Sequence, residues 1–173
     1  MKLCNANITN NYILGDYGGY IIEGADSESK VSYVNVRENH QGSEIIAFHY
    51  GQSRNINIAV ESTNYIENVN GYLIYSFCNL FMTGCALINN SCSPTFYIYT
   101  ECNIEVDHCY CDKTDYKEKS PVIRNPILNE FTVDMNHLRN CIDVLYHHNI
   151  CLTGYYYINK DFVDILFICF LFN

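Results

Sequence analysis

Apolar and polar positions alternate in short runs along most of the chain. Ile56, Ile58 and Val60 fall on one side of an extended segment, with Asn55, Asn57 and Ala59 on the other. Turn-prone stretches separate such runs: Gly51-Gln52-Ser53, Asn68-Val69-Asn70-Gly71 and Asn89-Asn90-Ser91. Residues 30–112 carry no helical stripe longer than about two turns. The pattern therefore predicts many short strands and no long helix.

The strands recur. Asn55, Asn79 and Asn103 lie 24 residues apart, as do Ile56, Leu80 and Ile104, and Ile58, Met82 and Val106. The same step extends backward to Val34 and Val36, above Ile58 and Val60. A second band aligns Phe48, Tyr72 and Phe96, and beside them Tyr50, Ile74 and Ile98, with Val122 as one more member. Four cysteines follow the step in two columns, Cys78 with Cys102 and Cys85 with Cys109. A hairpin sandwich needs no fixed step, whereas a solenoid does, because each coil stacks on the last. The leucine spacing of leucine-rich repeats is missing. The expectation is an all-β parallel β-helix with coils of about 24 residues over residues 1–125, and an irregular or partly helical extension over 126–173 that ends in a short apolar segment.

Composition supports this. The chain is rich in Asn and Tyr (22 and 16 of 173 residues), has no Trp, and favours β-branched and aromatic residues over helix formers. A net charge of −9 without a Lys/Arg cluster argues against nucleic-acid and anionic-membrane binding. Ten cysteines suggest an oxidising compartment, yet Met1-Lys2-Leu3-Cys4-Asn5 is not the start of a signal peptide. A fragment of a longer exported protein reconciles the two.

The repeat resembles right-handed parallel β-helices of the pectin-lyase-like type. It is most similar to the Asn- and Cys-rich β-helical regions of large protist surface proteins. The resemblance rests on residues 4–11, Cys85-Ala86-Leu87-Ile88-Asn89-Asn90 and Cys102-Asn103-Ile104-Glu105-Val106. It implies a non-enzymatic scaffold, secreted or at the cell surface, that presents a sheet to a glycan or protein partner. The alternative it implies is a carbohydrate-active enzyme, a polysaccharide lyase or glycoside hydrolase.

Candidate chemistry follows from the columns. Stacked asparagines form amide ladders or occupy left-handed turn positions; both readings stand for Asn55, Asn79 and Asn103. The cysteine columns suit either inter-coil disulfides or packed thiols. Glu105 and Asp107 share one outward strand face and are the only acids placed for glycoside chemistry, with Asn57 and Phe81, and Ala59 and Thr83, expected in their columns. Cys102, His108, Cys109, Cys111, His147, His148 and Cys151 lack paired zinc-knuckle spacing, so no metal is expected. No cofactor fingerprint or nucleophile motif occurs. Asn7 and Asn89 head glycosylation sequons. Among the tyrosines, Tyr75, Tyr97 and Tyr99 are the candidates for a recognition surface. Uncapped solenoid edges invite self-association. The apolar run over 162–173 would contact a membrane only as part of a longer span, because Asp161 and Asp164 interrupt it.

Overall fold

A computed structural model describes residues 2–13, 19–23, 25–26, 28–41, 47–52, 56–135 and 156–158. All strand pairings are parallel, and the chain winds through three sheet faces per coil. The first face is built from the leading halves of β1 (Lys2–Thr9) and β4 (Lys30–Arg37), then β7 (Asn57–Glu61), β10 (Asn79–Thr83), β13 (Ile104–Asp107) and β16 (Val122–Arg124). The second holds the trailing halves of β1 and β4, then β8 (Asn64–Ile66), β11 (Ala86–Ile88) and β14 (Tyr110–Cys111). The third stacks β3 (Tyr20–Glu23), β6 (Ala47–Gln52), β9 (Tyr72–Ser76), β12 (Phe96–Ile98) and β15 (Tyr116–Lys117), with β17 (Tyr156–Ile158) beside β3. Short β2 (Tyr12–Ile13) and β5 (His40–Gln41) pair at a corner. The chain is an all-β parallel solenoid, and its described residues contain no helix.

The coils are unequal. Lys2 lies beside Lys30, Lys30 beside Ala59, Asn57 beside Asn79, Leu80 beside Ile104 and Glu105 beside Val122, which gives steps of 28, 29, 22, 24 and 17 residues. The constant step therefore corrects in several places. Val31, not Val36, sits on Val60. Phe81 sits on Ala59 and Thr83 on Glu61, because the coil between β7 and β10 is two residues shorter than expected. In the second band Tyr72 lies over Ala47, Ile74 over His49, and Phe96 over Ile74. Val122 belongs to the first face, next to Glu105.

Two corners hold the register. Between the first and second faces the chain turns on one left-handed residue in each coil: Asn5, Tyr33, Ser62, Gly84, His108 and Asn125, all with φ between 41° and 62°. The second face ends on another such column, Asn10, Glu38, Glu67 and Asn89. Residues other than glycine and asparagine pay about 1–2 kcal/mol there. Inter-coil bonds offset that cost: the amides of Glu38, Ser62 and Glu67 donate to the carbonyls of Ile66, Thr83 and Ile88, each at 2.9 Å.

Immediately after the second corner stands a buried amide ladder of Asn11, Asn39, Asn68 and Asn90. The Nδ2 groups of Asn11, Asn39 and Asn68 each donate to the Oδ1 of the next rung, at 2.9, 3.1 and 2.9 Å. Asn39, Asn68 and Asn90 also donate to the backbone carbonyls of Ile8, Val36 and Tyr65. Lys113 Nζ closes the last rung on the Asn90 carbonyl. A shorter exposed ladder runs from Asn57 through Asn79 to Asn103. Asn55 lies outside the described residues.

The core fills the lumen. Val31, Val60, Met82 and Val106 form one inward column, and Val36, Tyr65 and Leu87 another, all essentially inaccessible. Each such side chain contributes about 1.5–3 kcal/mol by leaving water. One polar cluster lies among them: Tyr20 Oη contacts Tyr65 Oη and, at 2.8 Å, His49 Nδ1, while His49 Nε2 is buried without a partner.

Beyond Asn125 the chain follows the second face for one more inter-coil bond and then leaves the coil path. Ile127 N bonds Cys109 O, Phe131 packs on Ile66, Ala86 and Ile88, and Val133 exchanges two bonds with the Asn64 side chain at 2.9 and 3.1 Å. Residues 128–133 thus lie along the outside of the second face. Asn64→Ala is expected to raise amide exchange over 127–135 by roughly tenfold, from the loss of about 1–1.5 kcal/mol of hydrogen bonding, without altering exchange in β9.

Candidate functional site: an aromatic face on the third sheet

The outward side of β9 and β12 carries rings where a solvated sheet ordinarily carries polar groups. Tyr72 and Tyr75 project from β9 and pack, with Phe77, on Ile21 and Ala47. Tyr97 stands directly beside Tyr75 in the β12–β9 register. Ring centroids of Tyr75 and Tyr97 are 4.4 Å apart, those of Tyr72 and Tyr97 5.2 Å, and those of Phe77 and Tyr99 4.9 Å. Tyr72 and Tyr75 are stacked at 12°, whereas Phe77 meets Tyr75 edge-on at 5.1 Å. The five rings form one continuous platform whose members stay half-buried.

Next in the column after Tyr97 comes Lys117 of β15, whose Nζ lies 5.2 Å from the Tyr97 centroid and 6.0 Å from that of Tyr72. These are cation–π distances. Partial burial, followed by the nearby Glu118 carboxylate, raises the Tyr97 phenol above its ordinary value. It therefore remains a neutral hydroxyl able to donate and accept.

The structure brings Tyr75, Tyr97 and Tyr99 into this one platform. Sequence reading missed Tyr72, Phe77 and Lys117. Phe77 lies two residues after Tyr75, which signals a shared face. Lys117 offers no such sign, because the coil leading to it is shorter than the others.

Glu105 and Asp107 do point outward from β13, but each is engaged. Glu105 Oε1 is 2.7 Å from Arg124 Nε, and Asp107 Oδ1 accepts from Asn125 Nδ2 and from His108 Nδ1, both at 2.9 Å. The bond from Asn125, then that from His108, holds the Asp107 carboxyl below its usual range. It stays ionised at neutral pH, and a general acid for glycoside cleavage must be protonated there.

Cys85 and Cys109 are neighbours across coils: the Cys85 amide donates to Cys109 Sγ at 3.2 Å. Cys78 Sγ lies 3.1 Å from Ser76 Oγ, and the Cys102 carbonyl accepts from Lys119 Nζ. All four side chains are buried thiols. Burial raises Cys85 well above the ordinary thiol value and Cys111 to about 12. Those two thiols are poor nucleophiles, whereas the hydrogen bond with Cys85 lowers Cys109 below the ordinary thiol value.

No group of three or more His, Cys, Asp or Glu is arranged for a metal among the described residues. His147, His148, Cys151 and the apolar run over 162–173 lie outside them. No described helix is long and apolar enough to cross a membrane. Asn7 is exposed and accepts from Asn35 Nδ2, and Asn89 is exposed at a left-handed corner. No protein-family model, curated protein or solved structure matches the chain significantly.

Proposed function

We propose that this chain is a non-enzymatic solenoid scaffold whose third face binds a glycan. The continuous platform of Tyr72, Tyr75, Phe77, Tyr97 and Tyr99 carries the reading. Sugar rings have apolar C–H faces that stack on aromatics and hydroxyls that bond to phenols, so a Tyr platform satisfies both. Parallel coils space successive rungs by about 4.8 Å, which sets the rings out in a line suited to a linear chain. Rigidity comes from the ladders beneath, so little ordering is required on binding. The resemblance to β-helical surface proteins agrees with this role, and with presentation at a cell surface or in a secreted protein.

The enzymatic alternative rests on Glu105 and Asp107, and their ion pair and hydrogen bonds weigh against it. Tyr75→Ala combined with Tyr97→Ala is expected to weaken oligosaccharide binding by about 10- to 100-fold, the loss of roughly 1–3 kcal/mol of ring stacking. Calorimetry against neutral β-glucan and chitin oligomers and uronic-acid oligomers measures this. Glu105→Gln with Asp107→Asn should leave binding unchanged. Cleavage of any of these saccharides by the parent chain, abolished in the Glu105/Asp107 variant, would establish the enzyme instead.

A further inference from the structure

The two ends of the solenoid differ. In the first coil the inward Leu3, Ile8 and Tyr20 are already shielded, and β17 covers the edge of β3. At the other end the core columns finish in the open. Ile123 continues the column of Val60, Met82 and Val106, which are at most 1% exposed, yet it is 40% exposed itself. Tyr116 continues the column of Ile74 and Phe96 and is 54% exposed. Among the described strands the backbone edge of β16 pairs only with β13, as that of β1 pairs only with β4, so it is the exposed Ile123 and Tyr116 that set this end apart. Among the described residues that follow, Ile127 adds one ladder bond, to Cys109 O, and the chain then packs along the outside of the second face through Phe131 and Val133 without another first-face strand.

We propose that this end is a dimer interface for a second copy of the same chain. Two observations select that partner. An edge strand is its own complement under two-fold symmetry: β16 pairs antiparallel with β16 of the copy, with Ile123 on the axis. The end is also where the charge is balanced. Residues 112–124 hold four of the ten basic residues and three of the nineteen acidic ones, while the rest of the chain is strongly acidic. Copies that repel elsewhere meet here without repulsion. Docking end to end covers Ile123, Val122 and Tyr116 and leaves the aromatic face of each copy outward, so the dimer presents two platforms. The inference is independent of what that face binds.

Analytical ultracentrifugation of the full chain under reducing conditions tests it, paired with hydrogen exchange at low and high protein concentration. The mass is expected to rise with concentration to twice 20.0 kDa. Amides over 116–124 should gain protection as it does, with no change over 2–9. Ile123→Lys should hold the chain at the monomer mass. Tyr116→Lys, at a more exposed position, gives the same readout if the first variant folds poorly. A monomer at every concentration overturns the proposal. So does association that protects Lys2–Thr9 or β9 and β12 instead.

Discussion

Asn68→Ala is expected to destabilise the fold by about 3–4 kcal/mol, the largest effect of any single side-chain truncation outside the apolar columns. Asn68 is fully buried and serves two coils at once. Its Oδ1 accepts from the amide and Nδ2 of Asn39, and its Nδ2 donates to Asn90 Oδ1 and Val36 O. Truncation leaves two donors on Asn39, its amide and one Nδ2 hydrogen, buried without their acceptor, and each such group costs about 1–3 kcal/mol. Asn68→Asp does no better, because a carboxylate cannot donate to Val36 O and brings a buried charge. Asn79→Ala in the exposed ladder is the matched control, expected within about 0.5 kcal/mol of the parent. Urea unfolding followed by tyrosine fluorescence measures both. Equal shifts for the two variants would show that water replaces the inner ladder at no cost.

Acidification is expected to remove several kcal/mol through one residue. Burial lowers the His49 imidazole to about 3 from its ordinary 6.5. Between those values the unfolded chain binds a proton that the folded chain refuses, so stability falls as pH falls. The contribution is complete above pH 6.5, and about 3 kcal/mol of it is gone by pH 4, at 1.36 kcal/mol per unit. Carboxylates such as Asp107, held below their usual range, add to the loss in the same direction but only at still lower pH. His49→Phe removes the proton acceptor and its unpartnered Nε2, while Tyr20 keeps its bond to Tyr65. Melting temperatures from pH 7 to pH 4 should therefore fall steeply in the parent and much less in the variant. Parallel curves would show that water reaches His49 in the folded state.

The sequence disclosed the architecture because parity survives small changes in coil length. Leu80 over Ile104 and Met82 over Val106 obey the 24-residue step, and the 22-residue coil before them shifts register by two, which keeps every side chain on its own face. Inward and outward assignments on β7, β10 and β13 were therefore legible. An odd step is different. Between β6 and β9 the step is 25, so Tyr72 pairs with Ala47 rather than Phe48 and lies on the outer face, while Phe48 is inside. A constant step hid the inner ladder as well: Asn11, Asn39, Asn68 and Asn90 are spaced 28, 29 and 22 residues apart, and no single period aligns them. Their common mark is local, a left-handed residue just before each. The sequence shows it only where that residue is asparagine, at Asn10 and Asn89. Of the aromatic platform, Tyr75, Tyr97 and Tyr99 were legible from alternation, whereas their contacts with Tyr72 and Lys117 depend on coil lengths that no local pattern encodes.

In the proposed function the Tyr platform, and not the carboxylate strand, meets a saccharide. Titrating ring-labelled tyrosine in the full chain with β-glucan, chitin and uronic-acid oligomers, followed by NMR, tests it most directly. The expected result is a saturable shift of the Tyr72, Tyr75, Tyr97 and Tyr99 signals by one of these chemistries, with Tyr12, Tyr33 and Tyr110 unmoved and the saccharide intact. No shift with any of them, or shifts confined to tyrosines off the third face, would contradict the account.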